Sequence, residues 1–83
     1  MKLIRCGKIG ICIATSLDLT SKTGSKQMPN WFIPLFYSGT IVGGNSPDST
    51  GEIYIKSDGV FEWACSTTKS NAYTGNIVTV LKD

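Results

Sequence analysis

From Lys8 to Leu19 the chain alternates. Ile9, Ile11, Ile13, Leu17 and Leu19 share one parity, while Lys8, Gly10, Cys12, Ser16 and Asp18 share the other. Successive side chains of a strand leave opposite faces, so a period of two marks a strand with one face buried, and the isoleucine parity is expected to be that face. Just upstream, Arg5 to Lys8 reads RCGK, with a glycine suited to a tight turn. This predicts a short preceding strand over Leu3 to Arg5.

Farther on, Thr20 to Gln27 is polar, glycine-bearing and without period, and is read as a loop. In MPNWFIPLFY, Pro29 and Pro34 each lack a backbone donor, so this segment is expected to be an edge strand or an irregular crossing. A short strand around Thr40 to Val42 precedes a second loop from Gly43 to Thr50. After a hairpin comes the loop STTKSN, and the last strand runs from about Tyr73 to Leu81. No stretch sustains helical spacing, so the chain is read as all-β.

The hairpin GEIYIKSDGVFEW allows two registers. A two-residue corner at Asp58-Gly59 would mix Tyr54, Lys56, Phe61 and Trp63 on one face and Ile53, Ile55, Val60 and Glu62 on the other. A three-residue loop, Ser57-Asp58-Gly59, with Gly59 left-handed in a bulge, sets Ile55 against Phe61 and Ile53 against Trp63, with Cys65 on the same side. Tyr54, Lys56, Val60, Glu62 and Ala64 then face the other way. A one-residue slip moves every side chain across the sheet. Burial of an Ile or Phe, about 1.5–3 kcal/mol each, outweighs cross-strand pairs of about 0.2–1 kcal/mol. The three-residue loop is therefore expected, with Phe61 and Trp63 in the core and Tyr54, Lys56 and Glu62 outside.

Two segments are apolar on both parities. Tyr73, Ile77 and Leu81 oppose Val78 and Val80, and Trp31, Ile33, Leu35 and Tyr37 oppose Phe32 and Phe36. Strands of this kind are buried on both faces. A two-sheet sandwich could absorb part of this surplus and a symmetric oligomer the rest. At 83 residues the chain is one small domain with little room for two-sided burial of its own.

Composition narrows the function classes. Eight basic residues against six acidic give a net charge of +2, and the lysines are scattered rather than gathered in a stripe, which argues against nucleic-acid binding. No stretch approaches the length that spans a membrane, and Gly7, Lys8 and Gly10 interrupt what would be the apolar region of a signal peptide. Three cysteines, Cys6, Cys12 and Cys65, cannot all pair within one chain, and without histidine or a Cys-x-x-Cys spacing they suggest no metal site. They are expected as free thiols, consistent with assembly in a reducing cytoplasm. The absence of histidine removes Ser-His and Cys-His catalysis. Glu52 and Glu62 fall at unmatched points of the hairpin, so no acid–base pair is expected. Asn45 and Asp48 offer too few oxygens for calcium. No enzyme activity, cofactor or metal is expected.

The order of these features resembles the C-terminal head domains of phage tail fibres and baseplate receptor-binding proteins. The resemblance rests on RCGKIGICIATSLDLT as an arginine-glycine turn and long strand ending in Leu-Thr, and on MPNWFIP as the proline-bounded crossing. It continues with GEIYIKSDG as the Asp-Gly hairpin and AYTGNIVTVL as the closing strand. It covers nearly the whole chain, although MPNWFIP lacks the Gly-Tyr-Arg usual in that crossing. Such heads follow a stalk, so the chain is expected to be either the tip of a longer fibre or a separate small subunit. The resemblance implies a small antiparallel β-sandwich, jelly-roll-like and homotrimeric, in a virion. It also implies a non-enzymatic role, binding a host cell-surface saccharide.

Saccharide recognition uses planar hydroxyl-pairing groups and an aromatic that stacks on the sugar face. The candidates are Asn45 and Asp48 in one loop, Lys69, Asn71 and Tyr73 in or beside another, and Tyr54 on an ordered strand. Asn, Asp and Ser also satisfy their own backbone in turns, and that simpler reading stands beside each loop residue. Two rival roles remain: a structural trimerisation subunit with no ligand, and a free-standing inhibitor of a host protein.

Overall fold

The computed structural model describes residues 1–17, 19, 21–46, 48–67 and 72–82. Within them run seven strands: β1 (Lys2–Cys6), β2 (Ile9–Leu17), β3 (Thr23–Gln27), β4 (Ser38–Gly43), β5 (Thr50–Ile55), β6 (Val60–Cys65) and β7 (Tyr73–Val80). They pair antiparallel in the order β1-β2-β7-β4-β5-β6-β3. The all-β, antiparallel class expected from the alternation is thus found. The two layers of the sandwich are halves of one curled sheet, joined where Gly43 of β4 pairs with Thr74 of β7. Both halves feed one core: Cys12 and Ala14 from β2, Tyr73 and Ile77 from β7, Val42 from β4, and Ile53, Ile55, Phe61 and Cys65 from the hairpin.

The hairpin adopts the register that separates apolar from polar. Ile53 pairs with Trp63, Ile55 with Phe61 and Tyr54 with Glu62. Gly59 takes a φ of 86°, a left-handed conformation open to glycine at little steric cost. Its N–H donates to Lys56 O at 2.9 Å, and Lys56 N–H donates to Val60 O at 3.0 Å. Asp58 completes the turn by accepting from Val60 N–H at 3.1 Å. Trp63 reaches the core face but stays half-buried, its indole N–H donating to Ser21 O at 3.0 Å.

β2 corrects the expectation drawn from its isoleucines. The buried parity is Gly10, Cys12 and Ala14, while Ile9 is exposed and Ile11 and Ile13 are half-buried. The reason lies in the neighbour: Tyr73 and Ile77 of β7, with Leu81 just after it, fill the interior, so β2 must approach with small side chains. A Cβ added to Gly10 would meet the Leu81 side chain at 2.8 Å. Close packing, not hydrophobicity alone, chooses which parity is buried. Thr79 also points inward, and its hydroxyl is satisfied by that of Ser38 at 2.7 Å, as a buried polar group requires.

β3 corrects a second expectation, since Thr23 to Gln27 lies in the segment read as a loop. It is an outer strand paired only with β6, so most of its side chains meet solvent and no apolar alternation is needed. Gly24 is placed under the indole of Trp63, where any side chain would overlap the ring. The proline-bounded segment is the irregular crossing of the two forms expected. It is tied at one end by Met28 N–H to Gly59 O and at the other by Leu35 N–H to Val80 O, both 2.8 Å. Phe32 and Pro34 plug the core, while Trp31, Leu35, Phe36 and Tyr37 remain exposed. Arg5 holds the crossing from β1, its guanidinium donating to Trp31 O at 2.8 Å and Lys82 O at 3.2 Å.

Candidate functional site

The inward turn of the small residues of β2 leaves the branched ones outside. Ile4 of β1 pairs with Ile11 of β2, which pairs with Val78 of β7, and Ile9 pairs with Val80. These rows make an apolar patch on the outer face of β1, β2 and β7; Ile41 on β4 shares that face but stands opposite Glu52. Ile41 is 77% exposed and Val78 68% exposed. A single exposed aliphatic is ordinary, but the adjoining rows Ile4–Ile11–Val78 and Ile9–Val80 form a patch of the kind that marks an interaction surface. The two-sided pattern of the last strand correctly gave Val78 and Val80 as its second face. The isoleucines of β2 were the part that sequence reasoning placed on the wrong side.

On the same face lies an aromatic pair. Tyr54 projects from the convex face of β5 and is half-buried. Tyr37, at the end of the crossing, meets it with ring centroids 5.2 Å apart and planes tilted by 32°. Glu62 is the cross-strand partner of Tyr54 and ion-pairs with Lys56 at 3.3 Å. Loss of hydration, together with the charges of Glu52 and Glu62 and the neighbouring Tyr54, holds the Tyr37 phenol above its ordinary pKa. The hydroxyl is therefore protonated at neutral pH and able to donate. Glu52 stands opposite Ala64 rather than Glu62, so the two carboxylates are not cross-strand partners. The result is a partly exposed aromatic surface rimmed by two carboxylates and an ammonium.

The remaining candidates divide. Asn45 and Asp48 are both exposed in the β4–β5 loop, and Asp48 has a left-handed φ of 60°. The loop is internally bonded, with Gly44 N–H donating to Ser49 O at 2.9 Å. Ser66 clamps it, its hydroxyl donating to Asp48 O at 2.8 Å and accepting from Thr50 N–H at 2.9 Å. Tyr73 is a correction: its ring is fully buried in the core and its hydroxyl donates to Thr67 O at 2.7 Å, so it offers no stacking face. Its phase on β7 follows Ile77 and Leu81, which set the inward parity. Lys69 and Asn71 lie outside the described residues. Of the four candidates among the described residues, only Tyr54 stands on the outer face of the sheet. Its partner Tyr37 was seen in the sequence as surplus apolar bulk, not as a site residue.

The thiols are free: Cys6 is exposed, and Cys12 and Cys65 are buried. Burial pushes the Cys12 thiol up to about 11, against a smaller lowering by the N-terminal amine. Comparison with known protein families, with curated proteins and with solved structures finds no match.

Proposed function

We propose that the chain is a non-enzymatic adhesion module of the tail-fibre-tip kind, assembling as a homotrimer in a virion and binding a host cell-surface saccharide. The observation that carries this reading is the apolar patch of Ile4, Ile9, Ile11, Val78 and Val80 on the outer face, with the exposed Ile41 on the same face of β4. An apolar patch matches another copy of itself better than it matches a charged polymer, and a domain this small gains the burial it lacks by association. The order of motifs along the chain supports the fibre-tip class. The Tyr37–Tyr54 pair, with Glu52, Glu62 and Lys56 at its rim, supplies the stacking face and hydroxyl-pairing groups that a sugar requires.

A glycan array tests the saccharide half. Binding that falls at least tenfold in Tyr37→Ala and Tyr54→Ala, with the oligomer intact, is the expected result. The burial of Tyr73 favours a second reading, a trimerisation tip with no ligand. An intact trimer that ignores every glycan would select that one.

A further inference from the structure

β1 and β3 are the outer strands of the sheet. Every adjacent pair is antiparallel, so with seven strands β1 and β3 run parallel to each other. The curl of the sheet leaves two edges that cannot close in the pattern used everywhere else. One more strand, antiparallel to both, would close it. Leu3 of β1 and Lys26 of β3 both line a cavity of about 430 Å³, together with Met1, Leu17, Met28 and Trp63.

The backbone at the two edges is arranged to match. The loop between paired Cys6 and Ile9 has two residues, which makes that closing pair hydrogen-bonded and turns the N–H and C=O of Leu3 and Arg5 away from β2. On the other side, Met28 N–H donates to Gly59 O and Cys65 N–H to Lys22 O. That register directs Gly24 and Lys26 at β6 and leaves the backbone groups of Thr23, Ser25 and Gln27 on the outer edge, where the Thr23 carbonyl accepts from the Ser21 hydroxyl at 2.7 Å.

Lys26 sets the chemistry. It pairs with Phe61, a core residue, so its side chain lies on the concave face, where it lines the cavity. Among the described residues no carboxylate lines that cavity. A wholly apolar strand laid there would confine an unpaired ammonium against hydrocarbon, whereas a carboxylate at the facing position would neutralise it.

We infer that this seam accepts an extended segment of another polypeptide, running antiparallel to β1 and β3. Its inward, alternate side chains are apolar, except for an acidic residue facing Lys26. This is strand addition at both edges at once. It uses the concave side and its two edges, so it stands or falls separately from the association of the convex face.

The test uses the full chain and a synthetic nine-residue peptide that alternates valine and threonine, with glutamate in place of the central valine. Amide exchange at Leu3, Arg5, Thr23, Ser25 and Gln27 is expected to slow at least tenfold on adding it. The all-valine peptide should bind at least tenfold more weakly. Lys26→Gln should abolish the preference, and Lys26→Glu should transfer it to a peptide with central lysine. Protection at one edge only or at neither, or binding indifferent to the central residue, would overturn the inference. So would protection of both edges in the chain alone that rises with its concentration, because a second copy would then fill the seam.

Discussion

β2 and the β5–β6 hairpin obey the same alternation and resolve it in opposite ways. In the hairpin the bulky parity is inside: Ile53, Ile55 and Phe61 are buried, and Tyr54 and Glu62 turn outward. In β2 the isoleucines are outside and Gly10, Cys12 and Ala14 form the inner surface, until a register shift after Ala14 turns Leu17 toward the core. The difference comes from what lies across the core. The hairpin ring and aliphatic groups fill the space that β2 leaves by being small, and β7 adds Tyr73, Ile77 and Leu81 beside it. Interior volume is shared among strands at near-crystalline density, so one strand can be bulky only where another yields. The isoleucines of β2 are then left for a second surface, which is why the convex face reads like the inside of a protein.

The sharpest contrast is between truncations on the two faces. Phe61→Ala empties the centre of the core and should destabilise the chain by about 3–5 kcal/mol, seen as a lower denaturant midpoint at every protein concentration. Val78 is 68% exposed in the single chain, so under the proposed association Val78→Ala removes burial only between copies. Its cost, roughly 1–2 kcal/mol per chain, should therefore appear as a melting temperature that falls only where the protein is associated.

The Cys12 thiol probes the inner face of β2 by pH. Its folded pKa of about 11 lies above the ordinary value of 9.0. Between those values the unfolded chain gives up a proton that the folded chain keeps. Stability present below pH 9 is therefore lost as pH rises toward 11, by roughly 1–2 kcal/mol once partial solvent screening is allowed for. Denaturant titration of the native chain against Cys12→Ala checks this, because the variant should lack that share of the alkaline loss. If β2 instead presented its isoleucines to the core, the thiol would be exposed and no such difference would appear.

Much of the fold was legible in the residues themselves. The Asp-Gly corner fixed its own register, because only one slip separates Ile53, Ile55 and Phe61 from Lys56 and Glu62. The two-sided pattern of β7 was legible too. β3 was not, since an outer strand with most side chains in solvent carries no alternation, and Gly24 is explained only by the indole above it. The candidate site was read less well. Tyr54 follows from its parity, but Tyr37 is brought to it by a crossing with no regular period, and Tyr73, although in phase with Ile77 and Leu81, adjoins a polar loop that makes it look like a binding residue.

Self-association through the convex face is the central claim, and light scattering tests it directly on the native chain and on an Ile41→Asp, Val78→Asp pair. The native chain is expected at three times its 8.9 kDa mass and the pair at the monomer mass with its β-sheet circular dichroism unchanged. A native chain that stays monomeric at high concentration, or a doubly substituted chain that keeps the native mass, would contradict it.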